Sequence, residues 1–272
     1  MLLQRRIPIV FFAGIVLPAM IIIASLSARL VVSKHVTASK HAAREGSVEE
    51  APHLVLWAWE RPTDLNFINP QEVAVAFLAR TINLRDNSVT VRPRLQPLDL
   101  PEATSVIAVA RVESDRAQKS ALSAQQRDAL VTDIVEMAAW PRVASIQIDF
   151  DATRSEREFY REVITEVRKR LPRQVGLSIT ALASWCMDDD WISDLPIDEA
   201  VPMLFRMAAD GKQIVTRLNG GDDFNSPKCR HSYGFSTDEP HPQLTSTPRR
   251  LYVFSPERWT ESSVRKILES SR

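Results

Sequence analysis

Asp149 and Asp151 stand two residues apart in the stretch Ser145-Ile-Gln-Ile-Asp149-Phe-Asp151-Ala-Thr153. Ile146, Ile148 and Phe150 alternate there with Gln147, Asp149 and Asp151, the period of two that marks a strand. Both carboxylates therefore share one face. Thr153, followed three residues later by Glu156, has the pattern of a capping box, so a helix should begin where the strand ends. A strand that turns acidic on one face as it feeds a helix suits a site at the carboxyl rim of an α/β barrel. Paired carboxylates can divide acid and base work between them. Buried acids with neither task nor partner are costly. A purely structural role, with both acids bonded to loop amides, is the competing expectation.

Other chemistry-bearing residues end neighbouring apolar runs. Trp57, Trp59 and Glu60 close the first run, Arg111 and Glu113 the third, and Ser184 and Trp185 the fifth. Arg206 closes the sixth, Asp238 and Glu239 the seventh, and Trp259 follows the eighth. Carboxylates beside tryptophan faces suit work on glycosidic bonds, because aromatic rings stack on sugars and acids protonate or activate oxygen. Asp151 is then the expected nucleophile or stabiliser, with Asp149 as its support. Glu239 or Glu60 would supply the acid. Trp57, Trp59, Trp185, Arg206 and Asp238 would hold the substrate. A carboxyl separation of about 5–5.5 Å would favour retention and about 6.5–9.5 Å inversion. A binding or scaffold module without catalysis is the alternative. A metal-dependent hydrolase fits less well, because the five histidines show neither HxH nor HExxH spacing.

The elements that must position these residues recur along the chain. Strand-like runs fall at 54–60, 73–79, 105–112, 143–151, 175–184, 199–206, 231–237 and 250–255. Helical patterns separate several of them. Ser123 and Gln126 form a capping-box pattern before Leu130 and Ile134, while Phe159, Val163, Ile164, Val167 and Leu171 make one apolar face. Val264, Ile267 and Leu268 mark a last helix. Eight strands alternating with helices predict an α/β fold, a (β/α)₈ TIM-type barrel over 51–272. Its last third, 208–250, should be irregular and loop-rich, with one short helix near 211–218.

Acids and bases balance at 34 each, so net charge points to neither nucleic acid nor an anionic surface as partner. With 7 glycines and neither GxGxxG nor GxxxxGK[ST], nucleotide binding of the common kinds is not expected. No cofactor and no metal is implied. Arg5 and Arg6 precede an uncharged apolar run, Ile7 to Leu26, close to the ~20 residues of a membrane span. It reads as an uncleaved anchor in the inner membrane. A signal peptide cut near Ser25 or Ser27 is the alternative. Either puts the barrel in the periplasm, after a segment of 1–30 and a polar linker of 31–50. Cys186 and Cys229 could pair in that oxidising compartment or remain unrelated thiols.

Several motifs are familiar as a set: Trp57-Ala-Trp-Glu-Arg-Pro62, Ile146 to Thr153, Leu177-Ser-Ile-Thr-Ala-Leu-Ala-Ser-Trp-Cys186, Asp198 to Arg206, Ser236-Thr-Asp-Glu-Pro240 and Tyr252-Val-Phe-Ser-Pro256. Across 53–260 the chain resembles an uncharacterised bacterial family, the domain of unknown function 3142. That resemblance implies a barrel-type fold and brings no established activity. A weaker resemblance is to chitinase-like barrels of glycoside hydrolase family eighteen, whose fourth strand ends in DxxDxDxE. Asp149-Phe-Asp151 matches the central DxD. Ile146 stands in place of the first aspartate and Thr153 in place of the acidic glutamate. The resemblance thus implies a glycan as partner but lacks that family's own acid.

Overall fold

The computed structural model describes residues 52–115, 119–242 and 249–271. They fall in one compact unit, Glu45–Arg272. The N-terminal run and the linker lie outside the described residues. Among these, no helix is long and apolar enough to cross a membrane.

Eight parallel strands close on themselves. In spatial order they are β1 (Leu54–Ala58), β3 (Val73–Arg85), β6 (Val106–Ser114), β7 (Val143–Asp149), β8 (Gly176–Leu182), β9 (Glu199–Met203), β10 (Ser232–Ser236) and β11 (Arg250–Phe254). The ring shuts where β1 pairs with β11 on one side and β3 on the other, Val55 lying opposite Tyr252 and Ala74. The seam between β9 and β10 is the thinnest, with Gly234 opposite Met203.

Helices α1 (Ala124–Glu136), α2 (Arg157–Arg170), α3 (Ala183–Met187) and α4 (Gly211–Asn219) follow β6, β7, β8 and β9, and α5 (Glu261–Ser270) follows β11. Both predicted capping boxes form. Thr153 donates its backbone N–H to Glu156 at 2.7 Å, and Ser123 accepts from the Gln126 N–H at 3.3 Å. The apolar stripe of α2, Phe159, Tyr160, Val163, Ile164 and Val167, is buried against the barrel, as the 3.6-residue period requires.

The irregularity extends to the first third, where the regular alternation fails. No helix joins β1 to β3 or β3 to β6. Instead β3 runs on past a bulge at Ala79 and folds back through Asp86 onto β4 (Ser88–Pro93), antiparallel. A two-residue ribbon, β2 (Thr63–Asp64) with β5 (Leu98–Asp99), covers the adjacent rim. The physical reason is local: Pro93, Pro97 and Pro101 exclude a helix there. The bulge also breaks the period of two just where the sequence signal for the strand ends.

Alternation sorts the side chains into two cores. Outward residues such as Leu56, Ile146, Ile148 and Leu177 pack beneath the helices. Inward residues Val55, Trp57, Ala74, Ala76, Ile107, Val109, Val201 and Tyr252 fill the barrel. At the amino-terminal end, Tyr252 donates to Glu199 at 2.8 Å and Arg250 pairs with the same carboxylate at 3.4 Å. One layer higher the Trp57 indole crosses the interior, its Nε1–H donating to Gln147 at 2.9 Å.

Gly234 makes room for that ring. A Cβ there would stand 2.7 Å from the six-membered ring of Trp57. Outside the barrel, Cys186 of α3 and Cys229 are joined by a disulfide with Cα atoms 5.9 Å apart, both fully buried. It closes a 43-residue separation, a loop length for which cross-linking contributes about 4 kcal/mol in the chain-entropy account.

Gly234→Ala should lower unfolding stability by ~1–3 kcal/mol through overpacking, measured by urea denaturation. The double variant with Trp57→Phe should lose less than the sum of the two single changes. Additive losses would mean that the two residues do not compete for the same space.

Candidate active site

Above the Trp57 layer the carboxyl ends of the strands surround a cleft of about 560 Å³. Its floor and one wall are aromatic. Trp57 lies 5.3 Å from Tyr252 below and 6.1 Å from Phe205 above, measured between ring centroids. Phe205 stacks on Phe254 at 5.9 Å with an interplanar angle of 2°, and Trp59 meets Phe254 edge-on at 6.3 Å. The facing wall is polar: Arg111 from β6, Asp149 at the end of β7 and Asp151 just beyond it, Thr180 and Ser184 from β8 and its helix. Asp210, at the start of α4, completes the lining.

Gln147, Asp149 and Asp151 stand one above another on the inward face. Gln147 is fully buried and holds Trp57. Asp149 is half-buried at the cleft floor and Asp151 is exposed at its mouth. Thr180 donates its hydroxyl to Asp149 at 2.7 Å. Burial pushes the Asp149 carboxyl up to about 6, against the Thr180 hydrogen bond, which favours the ionised form. The negative charge of Asp151 adds to the rise, and Arg111 opposes it. Asp149 thus holds its proton into a range where an ordinary aspartate has lost it, while remaining open to the cleft.

The other acids at the rim have different partners. Glu60 does not line the cleft; it is exposed and pairs with Arg92 of β4 at 2.5 Å. The loop carrying it is held by Arg94, which donates to the carbonyls of Trp59 and Arg61. Asp238 and Glu239 also stay outside the lining and clasp Arg206. Glu239 accepts the Arg206 backbone N–H at 2.9 Å, where Arg206 adopts a left-handed φ of 52°. The Ser236 hydroxyl first, and then Arg206, holds the Asp238 carboxyl below its usual range. Arg206 itself lines the cleft, over the Phe254 ring at 5.5 Å.

Trp59 lines the cleft and Trp57 floors it, whereas Trp185 does not reach it. The chain turns helical at Ala183, so the strand alternation that would have aimed Trp185 inward no longer applies. Its ring is buried in the outer core, edge-on to Trp191 at 4.9 Å. Asp210 carried no sequence signal beyond its place in an irregular segment. The approach of Arg111 to Trp59, 5.8 Å from guanidinium to ring centroid, needed the barrel's closure to be seen.

No protein-family model matches the chain, and no curated protein matches it. Among solved structures it is similar to the crystal structure of the spore cortex-lytic enzyme SleL from Bacillus cereus, at 16% identity and a TM-score of 0.48. The match covers 69% of this chain and 51% of that one, so the chain spans about half the length of that protein.

The raised pKa of Asp149 makes stability depend on pH. A folded value near 6 lies above the ~3.9 of an unfolded aspartate, so the folded protein binds the extra proton between those limits. The resulting stability is complete below about pH 4 and is lost as pH rises through about 6. Asp149→Asn carries no such loss. Its unfolding free energy relative to the parent should therefore improve by ~1–3 kcal/mol between pH 4 and pH 7.5. Parallel pH dependences in urea denaturation would contradict the shift.

Proposed function

We propose that this protein hydrolyses glycosidic bonds, with Asp149 as the acid and Asp151 as the anionic partner. The observation that supports this reading is a half-buried carboxyl, raised to about 6, beside a second carboxyl in an aromatic-lined cleft. A carboxyl whose surroundings raise its pKa, set beside a second carboxyl, is a usual basis for dividing acid and base roles. Glu60 and Glu239, the acids expected from sequence, are committed to arginines. The acid role therefore passes to Asp149.

In the proposed reaction a sugar ring stacks on the aromatic wall and sets its glycosidic oxygen at the cleft floor. Asp149 gives its proton to that oxygen as the bond to the anomeric carbon breaks. Asp151 balances the positive charge that grows on the ring and takes a proton from the water that bonds to the anomeric carbon. The leaving sugar departs with a new hydroxyl, Asp151 releases its proton to solvent, and Asp149 takes one up from solvent. Thr180 orients Asp149, and Arg111 limits the mutual repulsion of the two acids.

An exported setting belongs to the same proposal. The buried Cys186–Cys229 disulfide and the apolar run Ile7 to Leu26 both favour a compartment outside the cytoplasm, with the run as anchor or cleaved leader. Glycan binding without cleavage is the second reading. It is favoured by Thr153, which is occupied in a helix cap with Glu156 at 2.6 Å where a chitinase-like barrel carries its acid.

Activity on a panel of cell-envelope and plant-type glycans should fall as pH rises through about 6, as Asp149 loses its proton. Asp149→Asn and Asp151→Asn should each lose ~10²–10⁴-fold in kcat with folding intact by circular dichroism. Retained glycan binding with no hydrolysis by the parent protein at any pH would give the binding reading instead.

A further inference from the structure

The acid pair does not sit at the end of a blind pocket. A second, more polar pocket of about 290 Å³ lies on its other side, lined by Arg111, Glu113, Ser114, Asp149 and Asp151. Arg111, Asp149 and Asp151 border both this pocket and the aromatic cleft. Arg111 bridges them, donating to Glu113 at 2.8 Å in the polar pocket while lying over Trp59 in the cleft. Beyond Trp59 a third pocket of about 370 Å³ continues, walled by Phe67, Pro97, Arg258 and Trp259. Trp57 and Trp59 are common to this pocket and the cleft. Phe67 is 37% exposed there, an apolar ring left facing solvent at the pocket's edge.

We infer that the substrate is a glycan chain bound across all three pockets, and that the acid pair cleaves an internal bond. This rests on the hydrolase reading above. The geometry is asymmetric. Two pockets walled by Trp59, Phe205, Phe254 and Phe67 lie on one side of the acids, and one small polar pocket lies on the other. Most of the chain stacks on aromatic rings, and the shorter portion is held by Arg111 and Glu113 through its hydroxyls. Binding energy from the remote sugars then helps to seat the reacting ring, so short substrates lose rate as well as affinity. A pocket closed behind the acids would instead admit a chain end and release single sugars.

The test uses hexasaccharides of β-1,4-linked N-acetylglucosamine, glucose, xylose and mannose labelled at the reducing end, with the matching disaccharides. For the sugar that is cleaved, the hexasaccharide should turn over at least tenfold faster in kcat/KM than the disaccharide. Labelled products of two to four sugars should appear from the first turnovers. Ser114→Trp, which fills the polar pocket, should reduce hexasaccharide cleavage at least tenfold. Phe67→Ala, on the opposite side, should reduce the advantage of the hexasaccharide over the disaccharide at least threefold. Each variant is checked for folding by its thermal transition, and either one alone suffices. Shortening of the labelled chain one sugar at a time, equal rates on both lengths, or two folded variants matching the parent would overturn the inference and leave the hydrolase reading standing. If no hexasaccharide is cleaved or quenches tryptophan fluorescence, both fall together.

Discussion

The Trp57 indole, laid across the barrel between Gln147 and Gly234, is the contact on which the rest of the site depends. An eight-stranded barrel encloses a space that side chains can just fill. Here one ring does much of the filling at mid-height, because Gly234 on β10 offers no side chain where the ring lies. Below it, Glu199, Arg250 and Tyr252 satisfy one another at the amino-terminal end. Above it, the ring becomes a floor. Asp149 stands one pleat above Gln147 and so is enclosed by the same layer. The elevated proton affinity of Asp149 is thus a consequence of how the barrel is plugged, and burial is its largest cause.

The acids of the rim divide by environment, though all lie near strand ends. Glu60, Asp238 and Glu239 meet guanidinium groups and are spent on fixing loops, Asp238 and Glu239 around the strained backbone of Arg206 and Glu60 on the β4 hairpin. Asp149 meets a hydroxyl and another carboxyl. An ion-paired carboxylate is a poor proton donor, whereas a desolvated one beside a like charge is a good one. In the proposed hydrolysis, that contrast moves the acid role from the glutamates to an aspartate.

Much of this was legible in the sequence where a residue's direction follows from local periodicity alone. Alternation through Ile146–Asp151 places Gln147, Asp149 and Asp151 on one face, and the structure has them inward. Eight apolar runs mark the eight barrel strands, all but the second to within three residues, and both capping boxes announce their helices. What depended on long-range partners was not legible. Arg92 reaches Glu60 only because β3 continues past its bulge and returns as β4, and the charged Arg80 hid that continuation. Trp185 was misdirected by one structural switch, from strand to helix at Ala183. The short helix expected near 211–218 is α4, but that its start borders the cleft and brings Asp210 into the lining depends on how the barrel closes.

The central claim is that Asp149 is a protonated acid poised over the Trp57 floor. The most direct measurement is a ¹³C NMR titration of the side-chain carboxyl groups, with the Asp149 resonance assigned by its absence in Asp149→Asn. The account predicts a midpoint near 6 for Asp149 that falls when Asp151 is replaced by Asn. A midpoint near 4, unchanged by that replacement, would contradict it and leave the cleft without its acid.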